Sequence, residues 1–332
     1  MTLIRIALDA MGGDYAPQEI VKGALDALPE SAVHVILVGD EREIRKILDA
    51  HKGRANDNIS VIHAGEVIGM DESPALAVKQ KKDSSINVAV RLLKQGRADA
   101  LISAGNTGAL MAASLFGLGR IKGIERPAIA TIFPTAGKSV LLLDMGANVD
   151  CKPKHLKQFA QMGSLYAEHV MHRENPKIGL LNIGEEPGKG NELTVQTYPL
   201  LKTSKLNFIG NVESKEILEG KVDVIVCDGF IGNLILKFGE TIGKTVFTLL
   251  KKEIAKNPLT KFGALFLLPA FHSLKKMVEY DEYGAAPLLG IDGVVFKAHG
   301  RAKSRAIKNA IKTTAEAVSE RIVRCISLVE ES

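Results

Sequence analysis

The chain has 332 residues, 46% of them hydrophobic and 24% charged, which is the balance of a folded globular protein rather than a disordered one. Its 43 basic and 38 acidic residues leave a net charge of +5, too mild and too evenly spread to mark a nucleic-acid binder, and its three cysteines show no C-x-x-C spacing that would suggest disulfides or zinc. No stretch reaches the roughly 18 to 20 apolar residues of a spanning helix, and the first residues read as a strand rather than a secretory signal, so a cytoplasmic protein with at most peripheral membrane contact is expected.

Short β-branched or Leu-rich runs alternate with segments of helical period, the signature of an α/β fold: a Rossmann-like, mostly parallel sheet with helices on both faces. In chain order the spacing predicts a strand at 4–8, a helix at 18–28, a strand at 33–38, a helix at 41–51, a strand at 59–62 and a helix at 85–95. A strand at 100–102, a helix at 108–119, strands at 129–133 and 140–143, a helix at 153–172, a strand at 178–182 and a helix at 191–202 follow. The strand at 207–209, the helix at 214–219, the strand at 222–227 and the helix at 233–256 complete the regular alternation.

An irregular stretch, 257–290, is interrupted by Pro258, Pro269 and Pro287 before a strand at 294–296. Beyond it, Ile307, Ile311, Val318, Ile322, Ile326 and Val329 form one stripe that predicts a core-packing helix over 302–329. With no repeat, low-complexity tract or linker, a single α/β domain over 1–332 is expected. Pro269 predicts a break of 257–278 into two short helices, a protruding hairpin. Its Phe262, Leu265, Phe266 and Phe271 fall on one arc and Lys275 and Lys276 on the other. That pattern suits contact with anionic lipid or an acidic carrier protein, and equally a dimer interface or a core hairpin.

In open parallel sheets, ligands bind beyond the carboxyl ends of the strands, where loops feed helix N-termini. Six such loops combine glycine, which lets backbone approach a ligand, with short polar side chains. They carry Gly12, Gly13 and Asp14; Ser103, Gly105, Asn106, Thr107 and Gly108; and Asp144, Gly146 and Asn148. The others carry Asn182 and Gly184; Asp228, Gly229 and Asn233; and His299. Any one of them reads as an ordinary turn by about three to one, but six in one chain predict a phosphate cradle. Lys189, with Gly188 and Gly190 on either side and Asn191 following, stands in a polar loop that can deliver an ammonium to the same edge.

Nucleotide fingerprints fail letter by letter. Gly105 and Gly108 lack the first glycine of G-x-G-x-x-G, Gly137-Lys138-Ser139 has Ile132 where a P-loop needs glycine, and the glycine upstream of Gly243-Lys244-Thr245 is one position short. There is no G-x-S-x-G elbow. Cys227 closes an apolar strand and reads as buried, and His169 and His172 lack a carboxylate pattern for metal.

Read in order, the strings Ala7–Asp14, Ile102–Met111, Gly119–Gly123, Asp144–Asp150, Gly190–Leu193, Phe208–Asn211, Asp228–Phe230 and Lys297–Gly300 resemble the phosphate acyltransferase family of bacterial phospholipid synthesis over essentially the whole chain. The resemblance implies a fold similar to the isocitrate and isopropylmalate dehydrogenases and to phosphotransacetylase. It implies transfer of a long-chain acyl group from the thioester of acyl carrier protein to inorganic phosphate, without cofactor or metal. The acyl phosphate would pass to a membrane glycerol-3-phosphate acyltransferase, and the enzyme would be a homodimer associated with the inner face of the membrane. It also implies catalytic importance for Lys189 and Asn233. Three rivals stand beside it: a nicotinamide-dependent dehydrogenase, a non-catalytic membrane or carrier-protein adaptor, and a phosphotransacetylase using coenzyme A.

Overall fold

The computed structural model describes residues 3–51, 57–135, 137–278 and 284–329, with side chains omitted for 272–278 and 329. The alternation begins with β1 (Ile4–Asp9), α1 (Gln18–Ala27), β2 (Val33–Gly39), α2 (Glu41–Ala50) and β3 (Ile59–His63). A short helix absent from the sequence reading, α3 (Pro74–Gln80), precedes α4 (Ser85–Lys94), β4 (Ala100–Ser103) and α5 (Thr107–Gly117). Next come β5 (Ala128–Ile129), β6 (Thr131–Phe133), β7 (Val140–Leu143), α6 (Pro153–His169), β8 (Ile178–Leu181) and α7 (Glu192–Lys202). The chain continues through β9 (Phe208–Val212), α8 (Ser214–Glu219), β10 (Val224–Val226), α9 (Gly229–Ala255) and α10 (Pro258–Val278). It closes with β11 (Ala285–Leu289), β12 (Val294–Ala298), α11 (Ser304–Ser319) and α12 (Ile322–Val329).

These strands form two sheets, one of seven strands in the order β3-β2-β1-β4-β12-β11-β5 and one of five in the order β6-β7-β10-β8-β9. Neighbours are parallel except where β11 meets β12 and β5, and where β6 meets β7. The strand predicted at 129–133 is therefore two strands. Ala130 separates β5 from β6, and there the chain leaves the first sheet for the second. The run Ile129-Ala-Thr-Ile-Phe133 satisfies the pattern of one strand as well as two, so the sequence carries no mark of the exchange.

Every residue of β4 and β7 is buried, because helices cover both faces. Ile6 and Leu8 of β1 pack into the core shared with α1 and α11, while Ala7 between them joins the core of α4 and α5. In the second half, Phe159 and Tyr166 of α6 are fully buried in the core that holds Leu141, Leu143, Val224 and Val226. Truncating Phe159 to alanine there costs about 3–5 kcal/mol.

Three further differences from the sequence reading have physical causes. β11 contains Pro287, whose carbonyl accepts from Ala130 N–H at 3.1 Å. A residue's N–H and C=O leave a strand on the same side, so the donor that proline lacks faces a place where β5, which pairs only Leu288 and Leu289, has already ended. The predicted helix 302–329 is two helices, parted at Arg321 with φ +51°, although the apolar stripe runs on from Val318 to Ile322. Pro269 does not break α10. The carbonyl four residues back belongs to the exposed Leu265, where water can replace the missing donor. The hairpin expected within 257–278 is accordingly a single helix, which packs against α9. Among the described residues no helix is long and apolar enough to cross a membrane.

Candidate active site

In the first sheet the strand order reverses between β1 and β4, which opens a crevice at their carboxyl ends. Asp9, Ser103 and Lys297 stand there in one register row, Asp9 opposite Ser103 and Ser103 opposite Lys297. Ser103 Oγ donates to Asp9 Oδ2 at 2.6 Å and accepts from Gly105 N–H at 3.0 Å. The Lys297 ammonium donates to the carbonyls of Ala104, at 3.3 Å, and of Ala298. An ammonium has three donors, and it lies beneath the loop that leads into α5. Burial pushes Lys297 down to about 8, with the nearby charge of Asp9 opposing. Burial likewise raises the carboxyl of Asp9 above its ordinary range, against the Ser103 hydrogen bond.

The loops interlock over this row. Gly12 passes so close that a Cβ would lie 2.5 Å from Asp9 Oδ2 and 2.6 Å from Gly105 N, so no other residue fits. Gly13 adjoins Ala104, and Asp14 N–H donates to Gly300 O at 2.8 Å. Asn106 caps α5 by accepting from Ala109 N–H, and its amide donates to the carbonyls of Gly69, Met70 and Glu72. Its side chain therefore holds the loop rather than a ligand. The N–H groups of Thr107 and Gly108 at the start of α5 have no partner among the described residues.

The second sheet builds its edge around Asp144, whose carboxylate accepts from the N–H groups of Ile129, Ala147 and Asn148 and from the Asn148 amide, at 2.7 to 3.1 Å. Burial raises this carboxyl above its ordinary range against those four bonds. Asn148 also donates to Pro127 O, so it too is a structural clamp. Asp228 caps α9 by accepting from Phe230 and Ile231 N–H, and Gly229 N–H donates to Asn148 O. The N–H groups of the first turn of α9 are thus taken up within the protein.

Asn233 projects from that turn, exposed, directly over Gly146. At φ +116° Gly146 holds a turn that a side-chain-bearing residue rarely adopts, and a Cβ would press on Asn233 at 3.3 Å. Lys237 follows one helical turn later on the same face. Its charge, with that of Lys297 and Lys244, lowers the His299 pKa that burial has already depressed, and it lowers Lys297 as well. α9 therefore carries its cations to the edge of the first sheet. His299 stands 3.8 Å from Glu240 of α9, and Arg301 3.8 Å from Asp14.

Lys189 lies in the loop after β8, two strands from β7 across β10. The Asn182 amide closes the loop on the Lys189 carbonyl at 2.9 Å, and the Lys189 side chain runs out past Gly184 into solvent. Asn191 accepts from Thr194 N–H as the cap of α7, leaving Gly190 at the bend before it. No hydrogen bond joins Lys189 to Asn233 among the described residues. Cys227 is buried as predicted, and burial pushes its thiol well above the ordinary range. Phe262, Leu265 and Phe266 are exposed on α10 and Phe271 is half-buried, while the side chains of Lys275 and Lys276 lie outside the described residues.

Sequence reasoning missed Asp9, Lys297 and Lys237 as site residues. The signal was present: Asp9, Ser103 and Lys297 each stand one residue past the apolar run of their strand, and Lys237 is four residues beyond Asn233. Among the described residues no group of three or more His, Cys, Asp or Glu side chains is placed to hold a metal.

Two mostly parallel sheets flanked by helices define an architecture similar to that of the phosphotransacetylases. The chain superposes on EutD phosphotransacetylase from Staphylococcus aureus with a TM-score of 0.62 at 14% identity, covering 95% of this chain and 94% of that one. A phosphotransacetylase from Streptococcus pyogenes gives 0.63 at 16% identity, covering 96% and 94%. Identities this low speak to the fold alone.

Sequence comparison goes further. The family model described as fatty acid synthesis protein matches residues 4–324. Phosphate acyltransferase from Heliobacterium modesticaldum is 53% identical over 323 residues, 97% of this chain and 96% of that one. Phosphate acyltransferase from Desulfitobacterium hafniense is 54% identical over 316 residues, 95% and 94% of the two chains. The chain belongs to this family of phosphate acyltransferases and is an acyltransferase enzyme.

Proposed function

We propose that the chain transfers a long-chain acyl group from the thioester of acyl carrier protein to inorganic phosphate, giving acyl phosphate and free carrier. The observation that carries this reading is the buried Lys297 ammonium beside the reversal point of the first sheet, close enough to Lys237 of α9 to feel its charge. Phosphate sits where the open N–H groups of Thr107 and Gly108, Lys297 and Lys237 meet its charge.

A phosphate oxygen attacks the thioester carbonyl carbon, the C–O bond forms and the carbonyl becomes an oxyanion. Collapse of that intermediate breaks the C–S bond. The leaving thiolate, with an ordinary thiol pKa of about 8.5, needs little acid assistance and takes its proton from solvent. Positioning and charge stabilisation are then the enzyme's task. Asn233 donates its amide to the developing oxyanion, and Lys189, on a glycine-flanked loop, swings in to offset the negative charge.

The exposed Phe262 and Phe266 of α10, packed edge to face at 5.7 Å, support peripheral attachment to a membrane surface. There the acyl phosphate would pass to a membrane glycerol-3-phosphate acyltransferase. We assign the working enzyme as a cytoplasmic homodimer. Purified protein mixed with palmitoyl carrier protein and phosphate should release carrier thiol in proportion to acyl phosphate trapped by hydroxylamine. Absence of phosphate-dependent thiol release with any acyl length sinks the reading, and release from coenzyme A thioesters alone would replace the carrier as donor.

A further inference from the structure

The main chain of Lys189 is held on both sides, although its side chain is exposed. Its N–H donates to Glu186 O at 3.0 Å, which closes residues 186–189 into a turn, and its carbonyl accepts from the Asn182 amide at 2.9 Å. The stem of the side chain crosses Gly184, where a Cβ would lie 3.2 Å from Lys189 Cγ. One more group reaches this turn, from the neighbouring strand. Asn211, only 5% exposed on β9, donates its side-chain amide to the same main-chain carbonyl of Glu186 at 2.8 Å. β8 and β9 run parallel, so Asn182 and Asn211 meet the loop from the same edge of the sheet.

We propose that Asn211 is a positioning residue for the reaction: it ties the turn 186–189 to β9 and so fixes the point from which the Lys189 ammonium reaches the reacting carbonyl. The assignment rests on the reading of Lys189 as the cation of acyl transfer and adds what holds that cation in place. Two observations favour this role over strand packing. A carbonyl has no proton to give, so the nitrogen of the Asn211 amide must face Glu186 O, and the oxygen, Oδ1, is left buried with no hydrogen-bond partner among the described residues. An unpaired buried acceptor destabilises a fold, and an apolar side chain of similar size would remove it, so packing alone gives no reason for asparagine here. The second observation is the target of the bond. Glu186 O already accepts from Lys189 N–H, so the turn closes without Asn211, and the extra donor anchors the turn rather than forming it.

Asn211→Leu removes the anchor and the unpaired oxygen together. The variant should melt at or above the wild-type temperature and yet lose kcat by on the order of tenfold, part of the roughly hundredfold that a misplacement of about 1 Å can remove. In a Lys189→Ala background the same substitution should change kcat by less than about twofold, because the group it positions is gone. Trypsin gives a readout independent of turnover. Cleavage after Lys189, followed by mass spectrometry of the fragments, should speed up by about tenfold in Asn211→Leu while cleavage elsewhere keeps its rate. Asn211→Asp has nearly the same shape but turns a carboxylate oxygen towards Glu186 O, and it should reproduce both losses if the leucine variant fails to fold.

Wild-type kcat in Asn211→Leu and Asn211→Asp, or unchanged cleavage after Lys189, overturns the assignment. So does an activity loss that only follows a fall in melting temperature, or one that multiplies in full with that of Lys189→Ala. If Lys189→Ala itself keeps wild-type kcat, the reading of Lys189 falls and the role of Asn211 with it. If Lys189→Ala loses activity and Asn211→Leu does not, only the positioning role falls.

Discussion

Replacing Lys297 by Met separates what the buried ammonium does for binding from what it does to folding. Burial takes its pKa from 10.5 down to about 8, against the attraction of Asp9. Folded Lys297 thus gives up its proton at a lower pH than unfolded Lys297, and between about pH 8 and 10.5 the unfolded chain holds more protons. Stability from this group is fully present above the unfolded value and is lost as pH falls through the folded one. At about 1.4 kcal/mol per pKa unit the whole shift amounts to about 3 kcal/mol. Methionine does not titrate, and every other group is common to both proteins. Urea unfolding at about pH 7 and pH 10 should therefore show the wild type gaining about 2–3 kcal/mol on Lys297→Met as pH rises. The absolute difference at neutral pH is not the readout, because the variant also leaves the Ala104 and Ala298 carbonyls without their donor. In the transfer assay the wild-type KM for phosphate should climb above about pH 8, and the variant should start with a raised KM that does not follow this titration. Parallel stability curves for the two proteins would refute the reasoning.

Lys189→Ala and Asn233→Ala should each lower kcat by on the order of a hundredfold while thermal melting stays within a degree or two of wild type, since both side chains are exposed. Near wild-type turnover in both would dismiss them as catalytic residues. Asp144→Ala strips the partner from three backbone N–H groups, and denaturant titration should report a loss of about 3 kcal/mol or more. A loss below about 1 kcal/mol would mean water replaces the carboxylate. Phe262→Glu with Phe266→Glu should abolish sedimentation with anionic vesicles and leave acyl transfer to phosphate in solution intact. Unchanged vesicle binding, or aggregation, would exclude α10 as the membrane contact.

Buried parallel strands are readable because they are apolar on consecutive positions, and β1, β2, β4 and β7 stand within a residue or so of where the pattern places them. What that pattern lacks is sheet order. The contact of Lys297 with Ala104 joins residues 193 apart, and only the placement of β12 beside β4 brings them together. The strand-end asparagines were legible as residue types and illegible as roles. Asn106 and Asn191 cap helices, Asn148 clamps Asp144 and Asn182 closes a loop, because a short amide serves a backbone turn and an anion equally well. Lys189 was legible from its glycine-flanked loop and Asn233 from the strand-end loop it shares with Asp228 and Gly229, and resemblance to a family added a catalytic role to each.

The passage of the chain out of the first sheet at Ala130, and its return only at β11 and β12, sets the order in which the protein can be completed on the ribosome. β1 to β5 emerge early, but the edge of β4 that β12 will occupy stays open until the whole second sheet and the α9–α10 hairpin have been made. A nascent chain therefore carries an unpaired, wholly buried-type strand edge for most of its synthesis, and it needs protection from pairing with other chains. The last strand to arrive also brings Lys297, so closure of the sheet and completion of the Asp9–Ser103–Lys297 row become one event. A truncated product that lacks β12 can present neither a finished fold nor a half-working enzyme.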